Sequence, residues 1–115
     1  MKKSETVKRS KSVKKIKSEP KLALLIYDVD YDDEVMDLFT SDLVPGFTKW
    51  DKVQGTGKSS DPKMDTAVWP GHNSVILALL TDEIEEELKA KIMELINKHN
   101  GSGMKLFTLP LHEVI

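Results

Sequence analysis

Two short segments, Leu22–Tyr27 and Val75–Leu80, are apolar at every position. Each is too short for a buried helix, and the first is bounded by an Asp-rich turn. A strand with one wet face alternates, whereas a strand flanked on both sides is apolar on both parities. The chain must therefore place these two segments at the centre of a sheet.

The segments between them have other periods. From Asp32, the residues Val35, Met36, Leu38 and Phe39 fall at helical spacing, with Asp32, Asp33 and Glu34 at the positive end of the helix dipole. Pro45-Gly46 breaks the chain and opens a strand over Phe47–Gln54, whose mixed pattern suits a sheet edge. Residues 55–66 are turn-formers and polar groups, and Trp69-Pro70-Gly71 adds a further turn. The next strand is expected over Ser74–Leu80. Asp82, with Glu85 three residues on, resembles a capping box. The helix it opens runs to about His99, burying Ile84, Leu88, Ile92, Leu95 and Ile96, and Asn100-Gly101 ends it. A last strand spans Lys105–Leu111, and Pro110 assigns it to an edge.

The order is β-α-β-β-α-β, the split βαβ arrangement. The fold class is therefore α+β, a ferredoxin-like βαββαβ sandwich with a four-stranded antiparallel sheet and two helices on one face. Its first and third strands are central, and these are the two doubly apolar segments. Two helices cover only one face of such a sheet. The other, rich in Leu and Ile, is left to a partner, and self-association is the economical inference.

Charge is unevenly spread. Residues 1–21 hold nine Lys and Arg against two Glu, a net +7, while the rest hold eight basic and seventeen acidic groups, a net −9. Residues 1–20 have almost no apolar content and are expected to form a disordered basic tail, with one domain over 21–115. The tail has a basic start but no continuous apolar region, which argues against a secretory signal, and no run reaches the length of a membrane span. The chain has no cysteine, so disulfides, thiol catalysis and zinc–thiolate sites are excluded, and a cytoplasmic location is expected. The tail can meet nucleic acid or anionic lipid through charge alone, but a solvated extension is the simpler reading, and no specific nucleic acid partner is assigned.

Two glycine-lysine clusters carry the chemistry. Gly46-Phe47-Thr48 opens the second strand and Val53-Gln54-Gly55-Thr56-Gly57-Lys58 closes it. Glycines let backbone amides approach an anion, and Lys58 adds a point charge. No helix follows, so this is not a Walker motif. The second cluster, Gly101-Ser102-Gly103-Met104-Lys105, precedes the last strand, and the chain ends in Leu109-Pro110-Leu111-His112-Glu113-Val114-Ile115. As an ordered set over roughly residues 21–115, these motifs resemble the PII signal-transduction superfamily. The resemblance implies a homotrimer in which the two clusters come from neighbouring subunits and enclose a nucleotide. Thr48 would then meet the base edge, Gly55, Gly57 and Lys58 would line the phosphates from one subunit, and Gly101, Gly103 and Lys105 from the other.

The chain departs from that pattern in two respects. It lacks the Arg-x-Arg segment that follows the final Ile in better-known PII proteins, and its 55–72 loop is short and without tyrosine. Regulation by modifying a loop tyrosine is therefore unsupported. The Trp69–Asn73 element looks more like the divergent nitrogen regulatory PII-like branch often encoded beside heavy-metal efflux systems. The copper-tolerance CutA proteins share the trimeric fold, but their late tryptophan-rich segment is missing.

Three other groupings are open to a bland reading. Asp28, Asp30, Asp32, Asp33 and Glu34 have the charge for a hard cation but no EF-hand spacing, so capping and solvation explain them better. His72, His99 and His112 are far apart, and a surface role is favoured unless trimer symmetry gathers them; no metal ligands are assigned. Trp50 and Trp69 can stack on a base or pack together. No catalytic constellation is present, so an enzyme is not expected. The leading reading is a trimeric regulator that binds a small effector, an adenine nucleotide first. It would signal through the 55–72 loop to a partner such as a membrane transporter or a regulated enzyme. The alternative is a metal-binding or metal-tolerance protein on the same trimer.

Overall fold

The computed structural model describes residues 20–56, 63–64, 71–100 and 103–115. The expected tail, apart from Pro20, lies outside them. Among the described residues four strands and two α-helices follow in order: β1 Lys21–Asp28, α1 Asp32–Phe39, β2 Thr48–Val53, β3 Asn73–Leu80, α2 Asp82–Lys98 and β4 Met104–Pro110. They form a four-stranded antiparallel sheet in the order β2-β3-β1-β4. The two doubly apolar segments are its central strands, and β4, which carries Pro110, is an edge.

Alternation decides which side chains meet the helices. Ala23, Leu25 and Tyr27 of β1 and Ile76, Ala78 and Leu80 of β3 are buried, together with Val35 and Phe39 of α1 and Leu88 and Ile92 of α2. Ile84, Leu95 and Ile96 are only partly buried against that core, so the buried stripe of α2 is narrower than its spacing suggests. Each fully buried Leu or Ile contributes about 1.5–3 kcal/mol.

The opposite face carries no helix. Three rows cross it: Leu79, Leu22 and Leu109; Thr48, Leu77, Leu24 and Phe107; and Trp50, Val75, Ile26 and Lys105. Trp50, Leu79, Phe107 and Leu109 are each 44–49% exposed. Large apolar side chains are thus left partly exposed across this face.

The ends of α2 differ from the capping-box reading. Thr81 is the N-cap, its hydroxyl accepting from the Ile84 amide at 3.5 Å. Asp82 is already inside the helix. Glu85 is buried because Lys21, at the start of β1, donates to it at 2.9 Å and also pairs with Asp82 at 3.2 Å. At the other end, Asn100 takes the left-handed conformation (φ +62°) that stops the helix.

β2 is the irregular strand. Thr48, Lys49 and Trp50 pair with Leu77, Ile76 and Val75, but Val53 pairs with Asn73, so one extra residue lies on β2, beside a left-handed Lys52 (φ +56°).

Candidate functional site

The ends of β1 and β2 and the starts of β3 and β4 meet at one end of the sheet. One glycine of each cluster, Gly55 and Gly103, lies at that end. Gly55 lies just past β2, where its N–H donates to the Lys63 carbonyl at 2.8 Å and its carbonyl accepts from the Lys63 N–H at 2.5 Å. A Cβ at Gly55 would stand 3.0 Å from Asn73 Nδ2. Gly103 lies just before β4 with φ +81°, and a Cβ there would come within 2.8 Å of the Tyr31 ring. At Gly103 both the backbone conformation and the space require glycine.

Between the two stands the end of β1. The Asp28 N–H donates to the Gly103 carbonyl at 2.7 Å, and the Val29 N–H donates to the His72 carbonyl at 3.1 Å. The Asp28 carboxylate accepts from the Asp30 N–H at 2.9 Å and pairs with Lys63 Nζ at 3.2 Å. Of the acidic run, then, Asp28 caps the turn over Val29–Tyr31 and holds a lysine of the β2–β3 connection.

Asp32, at the start of α1, accepts from the Tyr27 hydroxyl at 2.6 Å and from Lys49 Nζ at 2.8 Å. Burial acts to raise its carboxyl, but the bonds from Lys49 and Tyr27 outweigh it and hold the group below the usual carboxylate range. Burial, reinforced by the Asp32 bond, pushes the Tyr27 phenol well above its ordinary range, so it remains a donor at any ordinary pH. The bond to Asp32 raises Lys49. The unit ties the edge strand β2 and the helix α1 to the central strand β1.

Glu34 closes the corner between the helices. It accepts from Lys98 Nζ at 2.6 Å, and its other oxygen lies 2.6 Å from His99 Nε2. These contacts, the Lys98 bond first, lower its carboxyl. The His99 ring stacks on Tyr31 with centroids 4.4 Å apart. His99 is therefore built into the loop region rather than left on the surface.

Of the residues singled out in the sequence, Gly55 and Gly103 sit at this end of the sheet. Thr48 and Lys105 are exposed on the helix-free face, Thr48 on the β2 edge and Lys105 on the β4 edge. Two strands intervene, a separation of roughly 14 Å at ordinary strand spacing. One chain therefore does not bring its two clusters together. Gly57, Lys58 and Gly101 lie outside the described residues, as does Trp69. Among the described residues no group of three or more His, Asp or Glu is placed to hold a metal ion, and no helix is long and apolar enough to cross a membrane.

The Tyr27–Asp32–Lys49 unit and the Asp28–Lys63 pair are absent from the sequence reading. One signal was available for the first: strand parity puts Tyr27 beside Leu25 and Ala23, inside, and a buried hydroxyl requires a partner.

No protein-family model matches the chain, and no curated protein matches it. Solved structures do. CPII, a nitrogen regulatory PII-like protein from Thiomonas intermedia K12 solved with ADP, AMP and bicarbonate, superposes with a TM-score of 0.61 at 19% identity, over 85% of this chain and 93% of that one. A protein named as PII-like and signalling, from Thermus thermophilus, gives 0.59 at 14% identity, over 82% and 89%. A DUF3240 family protein from Shewanella baltica OS155 gives 0.57 at 14% identity, over 84% and 94%. With the strand order, the glycine turns and these superpositions together, the chain has the PII-like fold.

Proposed function

We propose that this protein is a PII-like regulator that assembles as a homotrimer and binds a small anionic effector, an adenine nucleotide first, in the clefts between subunits. One observation carries the reading: Thr48 and Lys105 stand on opposite edges of the same helix-free apolar face. Packing that face around a threefold axis removes it from water and sets the β2 edge of one subunit beside the β4 edge of the next. Thr48, Gly55, Gly57 and Lys58 then serve a cleft from one side, and Gly101, Gly103 and Lys105 from the other. The nucleotides in the CPII structure support this choice of effector.

The function is binding rather than catalysis. Ligand energy has only to favour one arrangement of the 55–72 loop, which then engages or releases a partner in the cytoplasm, a membrane transporter or a regulated enzyme. Each lysine contributes a charge-assisted contact of about 1.5–3 kcal/mol. The net −9 of the body opposes a polyanion, so affinity is lower than a fully arginine-lined cleft would give. ADP and AMP calorimetry on the trimer, compared with Lys58→Ala and Lys105→Ala, is the test. Saturable binding that both substitutions weaken by tenfold or more is expected. Equal binding in wild type and both variants puts the cleft elsewhere. Stoichiometric uptake of a transition metal with no nucleotide bound moves the metal-tolerance alternative ahead, with ligands drawn from more than one chain.

A further inference from the structure

Each chain in such a ring serves two clefts, one with its β2–β3 connection and one with its α2–β4 turn. The two half-sites are on opposite edges of the sheet, yet they are not mechanically separate. Asp28 touches both. Its backbone N–H holds the Gly103 carbonyl at 2.7 Å, and its carboxylate holds Lys63 Nζ at 3.2 Å. Lys63 is in turn fixed to Gly55 by both of its backbone groups. The chain of contacts Gly55–Lys63–Asp28–Gly103 thus runs from one glycine turn to the other through a single residue. Its two charged side chains are only 15% and 19% exposed, so solvent screens the pair weakly. Tyr31 fills the space beside Gly103, which limits how far that turn can yield.

From this geometry we infer that Asp28 is a positioning residue that sets the two glycine turns as one unit, so that a displacement at one reaches the other. The inference gains its regulatory meaning from the proposed ring, in which it links one cleft to the next. The contact chain itself belongs to the single subunit and can be tested without any ligand.

The test is amide hydrogen exchange on the full chain. Lys63→Met, a change confined to the β2–β3 connection, is expected to speed exchange at the Asp28 amide, the donor to Gly103, at least threefold. Asp28→Asn, which keeps the shape and the acceptor for Asp30, should do the same. Adding Lys63→Met to Asp28→Asn should give no further gain, because the two act through one contact. Lys63→Arg should restore the wild-type rate. Lys21→Met breaks an ion pair of similar burial at the far end of β1 and serves as the control for general loosening. Exchange at the Asp28 amide no faster in Lys63→Met than in Lys21→Met would overturn the inference, whether or not ADP binds. Absence of ADP binding with the exchange coupling intact would count against the proposed effector alone.

Discussion

The Tyr27 hydroxyl and the Asp32 carboxylate lie 2.6 Å apart, joining a central strand of the sheet to the first turn of α1. Tyr27 is 1% exposed, so its hydroxyl has no water to fall back on. Tyr27→Phe removes one donor to a charged acceptor and leaves no orphan on the strand, so a loss of about 1.5 kcal/mol is expected. Asp32→Ala should cost more, because it takes the acceptor from the buried hydroxyl and leaves Lys49 only the more exposed Asp51, at 3.4 Å. Urea unfolding of the two variants checks the order as well as the size.

Acid sensitivity follows from the same carboxylate and two others. Asp32, Glu34 and Glu85 all have folded-state ionisation held below the unfolded range, the last mainly by the Lys21 bond. A depressed carboxyl stabilises the fold at pH values above its unfolded pKa and loses that contribution as pH falls through the folded one. Unfolding midpoints should therefore be level near neutrality and decline from about pH 4 downward. Lys49→Met removes the cation that holds Asp32 down, so that variant should be less stable near neutrality and decline less steeply in acid.

Two glycines should respond in opposite ways to the same substitution. Gly103→Ala forces a side chain into a left-handed backbone and against Tyr31, and should cost about 2 kcal/mol or more. Gly46 has open space around it. Gly46→Ala should be neutral or stabilise by up to about 1 kcal/mol through the unfolded state. Thermal melts of the pair decide the point.

Phe107→Glu places a charge in the middle row of the helix-free face without touching the helix-facing core. The expected outcome is a folded chain, by far-ultraviolet circular dichroism, that no longer assembles in light scattering. Retention of the wild-type mass would show that this face is not the assembly surface.

The strands were legible because both parities of β1 and β3 are apolar, and that signal survives any local context. The helix-free face followed by counting helices against sheet faces. Contacts between residues far apart in sequence were not legible. Glu85 read as an acid suited to a helix start, and Lys21 only as one more charge of the basic N-terminal stretch; only the fold shows that strand parity and helix turn bring them within 2.9 Å. Asp28 and Asp32 read alike as members of an acidic run. One faces Lys63 and the other Tyr27 and Lys49, a division set by the turn over Val29–Tyr31 rather than by composition. The glycine-lysine clusters were legible as motifs, but their placement on opposite edges depends on strand order.

The extra residue on β2 bears on what kind of assembly this chain can enter. A sheet edge is a template, and an edge with free backbone groups and an apolar face invites strand after strand in an open-ended stack. Here the β2 ladder stays regular for only three residues before the left-handed Lys52 turns it aside, and β4 ends in Pro110. The β2 edge therefore offers no long flat run for another strand to copy, whereas β4 is regular up to Pro110. Open-ended growth needs both edges, so the irregular β2 edge obstructs it, and burial of the apolar face is steered toward associations that close on themselves.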